Sequence, residues 1–177
     1  AYALTVPISV WQPDDFVEAS QQQSMMHWLY FGGLLALMLY NLLISVSLRD
    51  LRFLFYALYV GLFGMGMLAG NGFGRVLLWP QAQRFDAVSQ SFFLSLSAML
   101  SILLTRAFLN TPQLSRFANL GLVFFAASFG MIAMGYLASV WLSFSAQDLH
   151  TIMIATALPS ALLIMGAGFL AMRQRQV

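Results

Sequence analysis

Residues 25–47 read MMHWLYFGGLLALMLYNLLISVS and contain no Asp, Glu, Lys or Arg. A helix needs roughly 20 apolar residues to cross the hydrocarbon of a bilayer, and this run is long enough. Arg49, Asp50 and Arg52 follow it closely. Because charged side chains are costly in hydrocarbon, they mark the end of the run. The stretch therefore predicts a membrane-spanning α-helix.

Apolar runs of similar length recur along the rest of the chain. Of its 177 residues, 60% are hydrophobic and 8% are charged, whereas soluble domains have about 25% charged residues. The predicted fold class is all-α, a polytopic transmembrane helix bundle occupying residues 25–177. The five predicted spans cover about 25–47, 53–70, 85–109, 117–140 and 149–172.

The N-terminal residues 1–24 differ from the rest. Leu4 to Val10 alternates in part and carries β-branched residues, which predicts a short extended segment. Because a lone strand is not stable, we expect it to belong to a sheet that lies upstream. Pro13 to Ser24 is polar and predicts a linker. The chain starts with Ala1 rather than Met, so a piece of a longer protein, or a processed one, is expected.

All eight basic residues are Arg, and they are unevenly distributed between the loops. The loops on alternate sides of the predicted bundle carry six and two of them. The positive-inside rule places the Arg-rich side in the cytoplasm, so the N-terminus is predicted to lie outside. No cluster of basic residues could follow a nucleic-acid backbone, which excludes nucleic acid as a partner.

Three features of the spans are candidates for structural or relay roles. Asn41 is an amide in hydrocarbon, and it is expected either to form an interhelical hydrogen bond or to serve a ligand or signal. Gly66 and Gly70 form a Gly-x-x-x-Gly, which lets two helix backbones approach closely. Pro159 removes a backbone donor and predicts a kink, either static or acting as a hinge.

The third span is rich in hydroxyls. Ser97, Ser101 and Thr105 are spaced four residues apart, and Gln90 falls near the same face. Such a stripe would line a polar path, or its hydroxyls would bond to carbonyls of their own helix in close packing. The sequence leaves both interpretations open.

The sequence offers no catalytic constellation. It has no Cys, and therefore no thiol chemistry or thiolate metal site. No phosphate-binding glycine loop and no paired intramembrane carboxylates occur. His27 and His150 could serve as axial haem ligands, or simply lie at the membrane surface. The prediction is a protein that is not an enzyme and has no cofactor.

Several strings in the first three spans and their loops resemble one family in order and spacing. They are Val10-Trp11-Gln12-Pro13-Asp14-Asp15-Phe16, Tyr40-Asn41-Leu42-Leu43, Ser47-Leu48-Arg49-Asp50, Phe55-Tyr56, Gly70-Asn71-Gly72-Phe73-Gly74, Leu78-Trp79-Pro80 and Thr105-Arg106-Ala107-Phe108-Leu109-Asn110-Thr111. The chain resembles the transmembrane module of bacterial seven-transmembrane receptors with diverse intracellular signalling modules. The resemblance covers roughly residues 10–112.

This resemblance implies a signal-relay module in the bacterial cytoplasmic (inner) membrane. A periplasmic domain, whose end would be residues 1–24, would bind a small molecule or carbohydrate. The module would relay the signal to a cytoplasmic effector such as a histidine kinase, as in a two-component system, or a diguanylate cyclase. With five spans, the chain would be truncated after the fifth. A homodimer is left open as a further partner besides the lipid bilayer.

Within such a relay, the expected pivots are Asn41, the Gly66/Gly70 contact, the Gly72–Pro80 loop with Trp79, and Pro159. The alternative is a fragment of a channel or transporter with a Ser/Thr-lined path along the third helix, formed by Gln90, Ser97, Ser101 and Thr105. The lack of a charged residue in a span centre argues against a proton-coupled transporter. A membrane-bound enzyme subunit is a third hypothesis, but the residues for its chemistry are missing.

Overall fold

The computed structural model describes residues 13–142 and 146–174. Within these residues the chain forms helices joined by short turns. The helices are α1 (Pro13–Leu48), α2 (Leu51–Gly70), α3 (Phe73–Leu77), α4 (Gln83–Leu109), α5 (Thr111–Leu114), α6 (Arg116–Ser139) and α7 (Ala146–Gln174). The all-α prediction is confirmed. The extended segment predicted within residues 1–11 lies outside the described residues.

Five of these helices are long and apolar enough to cross a membrane. The candidate spans are Ser24–Leu48, Leu51–Gly70, Gln83–Leu109, Arg116–Ser139 and Gln147–Met172. The polytopic transmembrane prediction is therefore confirmed. Large apolar side chains such as Phe117, 88% exposed, and Leu158, 72% exposed, cover the outside of the protein, as expected where lipid replaces water as the solvent.

The chain divides into two units, Ala1–Gly33 and Leu34–Val177. In the first unit α1 begins at Pro13, so the polar stretch predicted as a linker is helical. Proline suits a first helical position, because its fixed φ matches the helix and its missing N–H is not needed there. Helix α1 then continues without a break to Leu48 in the second unit.

In the second unit, consecutive long helices pack antiparallel. A Cβ added to Gly66 of α2 would meet Leu94 of α4, and one added four residues later at Gly70 would meet Gln90. The partner residue number falls as the residue number in α2 rises, which defines an antiparallel pair. Gly121 and Gly135 of α6 show the same relation to Leu163 and Leu149 of α7.

The core lies where α4, α6 and α7 meet. Ile102, Leu122, Phe129 and Tyr136 are each at most 3% exposed, and Met153 of α7 packs against this cluster. Since lipid tails are as apolar as leucine, shape complementarity and close backbone approach hold such helices together.

Antiparallel packing separates the charges into two ends. The turn between α1 and α2 and the turn between α4 and α6 lie at one end, which carries Arg49, Arg52, Arg106 and Arg116. We call this the Arg-rich end. Arg75 of α3 and Arg84 in the first turn of α4 lie at the opposite end.

Candidate functional site

The Gly66/Gly70 pair lies on the face of α2 that packs against α4. Gly66 is buried, and a Cβ added there would lie 3.0 Å from Leu94 Cδ2 and 3.4 Å from the Leu94 backbone nitrogen. A Cβ on Gly70 would lie 2.6 Å from Gln90 Nε2. The two glycines therefore let α2 approach the backbone of α4 closely, and they do so within one chain.

Trp79 anchors the connection between α2 and α4. Its indole Nε1 donates a hydrogen bond of 2.9 Å to Asp86 Oδ1. The ring stacks on Phe93, with centroids 6.0 Å apart, and meets Phe85 edge-on at 5.2 Å. Pro80 follows in an exposed turn, a position for which its fixed φ is suited. Trp79 and Pro80 thus lock the start of α4 to the preceding loop.

The glycine-rich turn predicted after α2 contains the short helix α3. Gly72 precedes it with φ +79°, a left-handed conformation that glycine adopts without strain. Gly74 is buried, and an added Cβ would collide with the ring of Trp79. The Gly74 carbonyl accepts hydrogen bonds from Leu78 N and Trp79 N, at 2.9 and 3.1 Å. We call Gly72, Gly74, Trp79 and Asp86 the corner.

Most of the hydroxyls of α4 bond to their own helix. Ser97 Oγ donates to Leu94 O at 2.9 Å, and Thr105 Oγ1 donates to Ser101 O at 2.9 Å. Ser97 is 4% exposed. A hydroxyl that donates its hydrogen to a carbonyl of the preceding turn does not offer that hydrogen to a polar path through the bundle. This geometry favours the packing interpretation for Ser97.

Ser101 faces a different environment. It lines a cavity of about 310 Å³ between α4, α6 and α7, together with Ser160 and Phe129. The lining also includes three alanines, Ala98, Ala157 and Ala161. Small side chains on α4 and α7 form part of this lining, and the cavity is largely open to the outside of the bundle.

Pro159 lies next to Ser160 in α7, on an exposed face. The helix runs through it without interruption, so the proline does not end the helix. Ser160 Oγ donates to Ala157 O at 2.8 Å, and Thr156 Oγ1 donates to Met153 O at 2.9 Å. Pro159 removes one backbone donor from this turn, and two hydroxyls beside it donate to carbonyls of the same helix.

Asn41 is buried in α1, 8% exposed. Its Nδ2 donates to Leu37 O of the same helix at 2.8 Å. One hydrogen of the amide is therefore used within α1, while its second hydrogen and its oxygen leave the expected interhelical hydrogen bond as a prediction. Ser45 Oγ, one turn later, donates to Asp50 O at 3.1 Å and ties the end of α1 to the start of α2.

Two polar groups that sequence patterns did not single out lie between α4 and α6. Arg106 Nε donates to Asn119 Oδ1 at 2.7 Å, and Thr111 Oγ1 lies 3.5 Å from the same oxygen. Tyr136 is 1% exposed and lies beside Ser91, but its hydroxyl forms no hydrogen bond of good geometry within the described residues. In the sequence, the polar residues on either side of the Asn110–Pro112 turn were the only indication of the contact between Arg106 and Asn119.

The described residues contain no group of three or more His, Asp or Glu side chains that could hold a metal ion. His150 lies exposed in the first turns of α7, and His27 belongs to the first unit of the chain. The structure thus distributes the eight sequence candidates over several local settings. Asn41 lies in α1, and Gly66 and Gly70 lie against α4. Trp79 belongs to the corner and Pro80 follows it, Ser97 takes part in helix packing, and Ser101 lines the cavity near Pro159.

A protein-family model matches almost the whole chain. Residues 23–177 match the family described as 7TM diverse intracellular signalling. No curated protein matches the chain, and no solved structure does. The match includes every helix from α2 to α7 and the membrane-spanning part of α1.

Proposed function

The chain belongs to the family of 7TM diverse intracellular signalling proteins, and on that premise we propose that it couples a periplasmic ligand-sensing domain to a cytoplasmic effector. The family is a transmembrane signalling module, and the chain is a multi-pass membrane protein. The proposed input is a small molecule or carbohydrate bound by the sensing domain, whose end would be residues 1–24. The proposed output enzyme is a histidine kinase or a diguanylate cyclase.

A relay needs two arrangements of the bundle that differ little in free energy. The observation that best supports this is the cavity between α4 and α7. A helix that borders unfilled space can shift with little loss of contacts, whereas a close-packed helix cannot. We propose that α7, with Pro159 beside the cavity, moves relative to the pair formed by α2 and α4.

The experiment uses the full-length receptor and measures effector output with and without ligand. Pro159→Ala restores a backbone donor in α7, and Asn41→Leu removes the buried amide of α1. A shift of about 1 kcal/mol between two states changes their ratio about fivefold, so we expect either variant to alter the output ratio by about that factor.

Leu158→Ala is the matched control, because Leu158 neighbours Pro159 and is exposed like it but has a backbone donor that the substitution leaves in place. It should leave the output ratio unchanged. Unchanged output in both Pro159→Ala and Asn41→Leu would remove these residues from the relay.

We further propose that the Arg-rich end faces the cytoplasm of a bacterium, in its inner membrane. The chain has no Cys, so single cysteines can be placed without other changes. Gln113→Cys at the Arg-rich end should resist a membrane-impermeant maleimide in intact spheroplasts, and Gln81→Cys at the opposite end should react. The reverse labelling pattern would invert the proposed orientation.

A further inference from the structure

Arg106 is a guanidinium at the end of a membrane span with unused donors. It lies in the last turn of α4 and is half-buried between α4 and α6. Its Nε donates to Asn119 Oδ1. Within the described residues, no carboxylate pairs with Arg106. Its Nη groups are therefore available to an anion from outside the chain.

Asn119 holds this guanidinium in one orientation. A neutral amide oxygen fixes the Nε edge at 2.7 Å without cancelling the charge. Thr111, which is fully buried, lies against the same oxygen at 3.5 Å. A positive charge held in a fixed orientation by neutral groups is typical of a phosphate or carboxylate site, because the planar guanidinium binds either in a bidentate manner.

The residues around Arg106 indicate which kind of anion would bind there. Arg49, Arg52 and Arg116 are exposed at the same end. Asp50 is also at this end, but its carboxylate accepts a hydrogen bond from Arg52 N and caps α2. This end is thus strongly cationic, and a helix terminus at the edge of a membrane span lies at the depth of lipid headgroups. Basic pockets between transmembrane helices bind anionic lipid headgroups by this chemistry.

We propose that Arg106, oriented by Asn119, binds the phosphate of an anionic phospholipid at the junction of α4 and α6. The Nη groups donate to the phosphate oxygens, and Arg116, exposed at the start of α6, adds to the local positive potential. The proposal depends on the packing of α4 against α6 and on the charges at this end, and it is independent of the relay function.

The test measures phosphatidylglycerol binding to the purified full chain in phosphatidylcholine–detergent micelles, by native mass spectrometry. Loss of one cationic contact to an anionic lipid weakens binding about fivefold. We expect Arg106→Gln to lose at least this factor and Arg116→Gln to lose less. Arg75→Gln, at the opposite end, is the matched control and should bind like the wild type.

Equal losses in Arg106→Gln and Arg116→Gln would mean a diffuse surface charge and would overturn the site. Competition by inorganic phosphate at millimolar concentration would assign the site to a free anion and overturn the lipid assignment. If Arg106→Gln fails to fold, as judged by circular dichroism, Asn119→Ala decides instead. It keeps every charge but removes the orienting oxygen, so unchanged phosphatidylglycerol affinity in this variant would overturn the proposal.

Discussion

Among the helices that pack on α4, α2 and α7 contact it in contrasting ways. Helix α2 lies close to it through Gly66 and Gly70, and the bond from Trp79 to Asp86 ties the connecting loop to the start of α4. Helix α7 contacts α4 at Met153, whose sulfur accepts a hydrogen bond of 3.3 Å from Ser95 Oγ, and a cavity of about 310 Å³ lies beside this contact. The difference indicates that α2 and α4 form a fixed pair, while α7 has room to change its position. The following variants test this contrast, starting with the largest expected effect.

Gly74→Ala should damage the fixed pair most. The added Cβ would collide with the ring of Trp79, which the stacked Phe93 and the Asp86 hydrogen bond hold in place. Overpacking of this kind typically costs about 1–3 kcal/mol, and we expect a value near the upper end. Thermal unfolding in detergent, followed by circular dichroism, measures it.

Gly166→Ala is the control for that experiment, because a Cβ added there meets nothing within 4 Å. Alanine in a helix interior is favoured over glycine by about 0.5–1 kcal/mol, so this variant should be neutral or slightly more stable. Equal destabilisation by both substitutions would show that the corner is no tighter than the exterior of α7.

Trp79→Phe should have the second-largest effect. Phenylalanine keeps an aromatic ring against Phe93 but loses the indole donor to Asp86 Oδ1. A hydrogen bond to a charged group contributes about 1.5–3 kcal/mol, and solvent near the end of the bundle reduces this, so we expect a loss of about 1–2 kcal/mol. A double-mutant cycle with Asp86→Asn measures the coupling, and additive losses would contradict a direct bond.

Ala161→Leu should act in the opposite direction, on the loose side of α4. Ala161 is exposed and lines the open side of the cavity, so a larger side chain would cover that opening and fill part of the volume. Cavity filling commonly adds about 0.5–2 kcal/mol, and we expect about 1 kcal/mol of added stability together with a reduced response of the full-length receptor to ligand. Thermal unfolding and effector output report the two effects.

Ala155→Leu is the control for cavity filling, since Ala155 is exposed and lies one turn before Pro159 without lining the cavity. Its effect on stability should lie within about 0.5 kcal/mol of zero. A reduced ligand response in this variant too would mean that bulk anywhere on α7 impairs signalling, and the cavity would lose its special role.

The sequence predicted the number of spans because the signal is strong and local. Twenty or so apolar residues without charge exclude other structures in a bilayer. The Gly66/Gly70 spacing likewise predicted a close helix contact. It did not identify α4 as the partner, since glycine spacing carries no information about the opposite surface.

The polar contacts were harder to predict. Asn41 was expected either to bond across helices or to serve a ligand or signal, and no feature of the sequence indicated that one hydrogen of its amide would go to Leu37 O in its own helix. The bond from Trp79 to Asp86 closes a loop whose geometry depends on Pro80 and Gly72, and the residue types alone do not fix it. The cavity is a property of three packed helices and has no counterpart in any single stretch of the sequence.

The order of packing also bears on how the protein is made. Helix α2 packs on α4, α4 on α6 and α6 on α7, so each long helix in this series has its partner next along the chain. During synthesis, each of these helices can therefore pack on the helix that was inserted into the membrane just before it. The contact of α7 with α4 skips α6, and the cavity forms there. Synthesis would therefore complete the close pair of α2 and α4 first and add α7, the helix proposed to move, to a scaffold already in place.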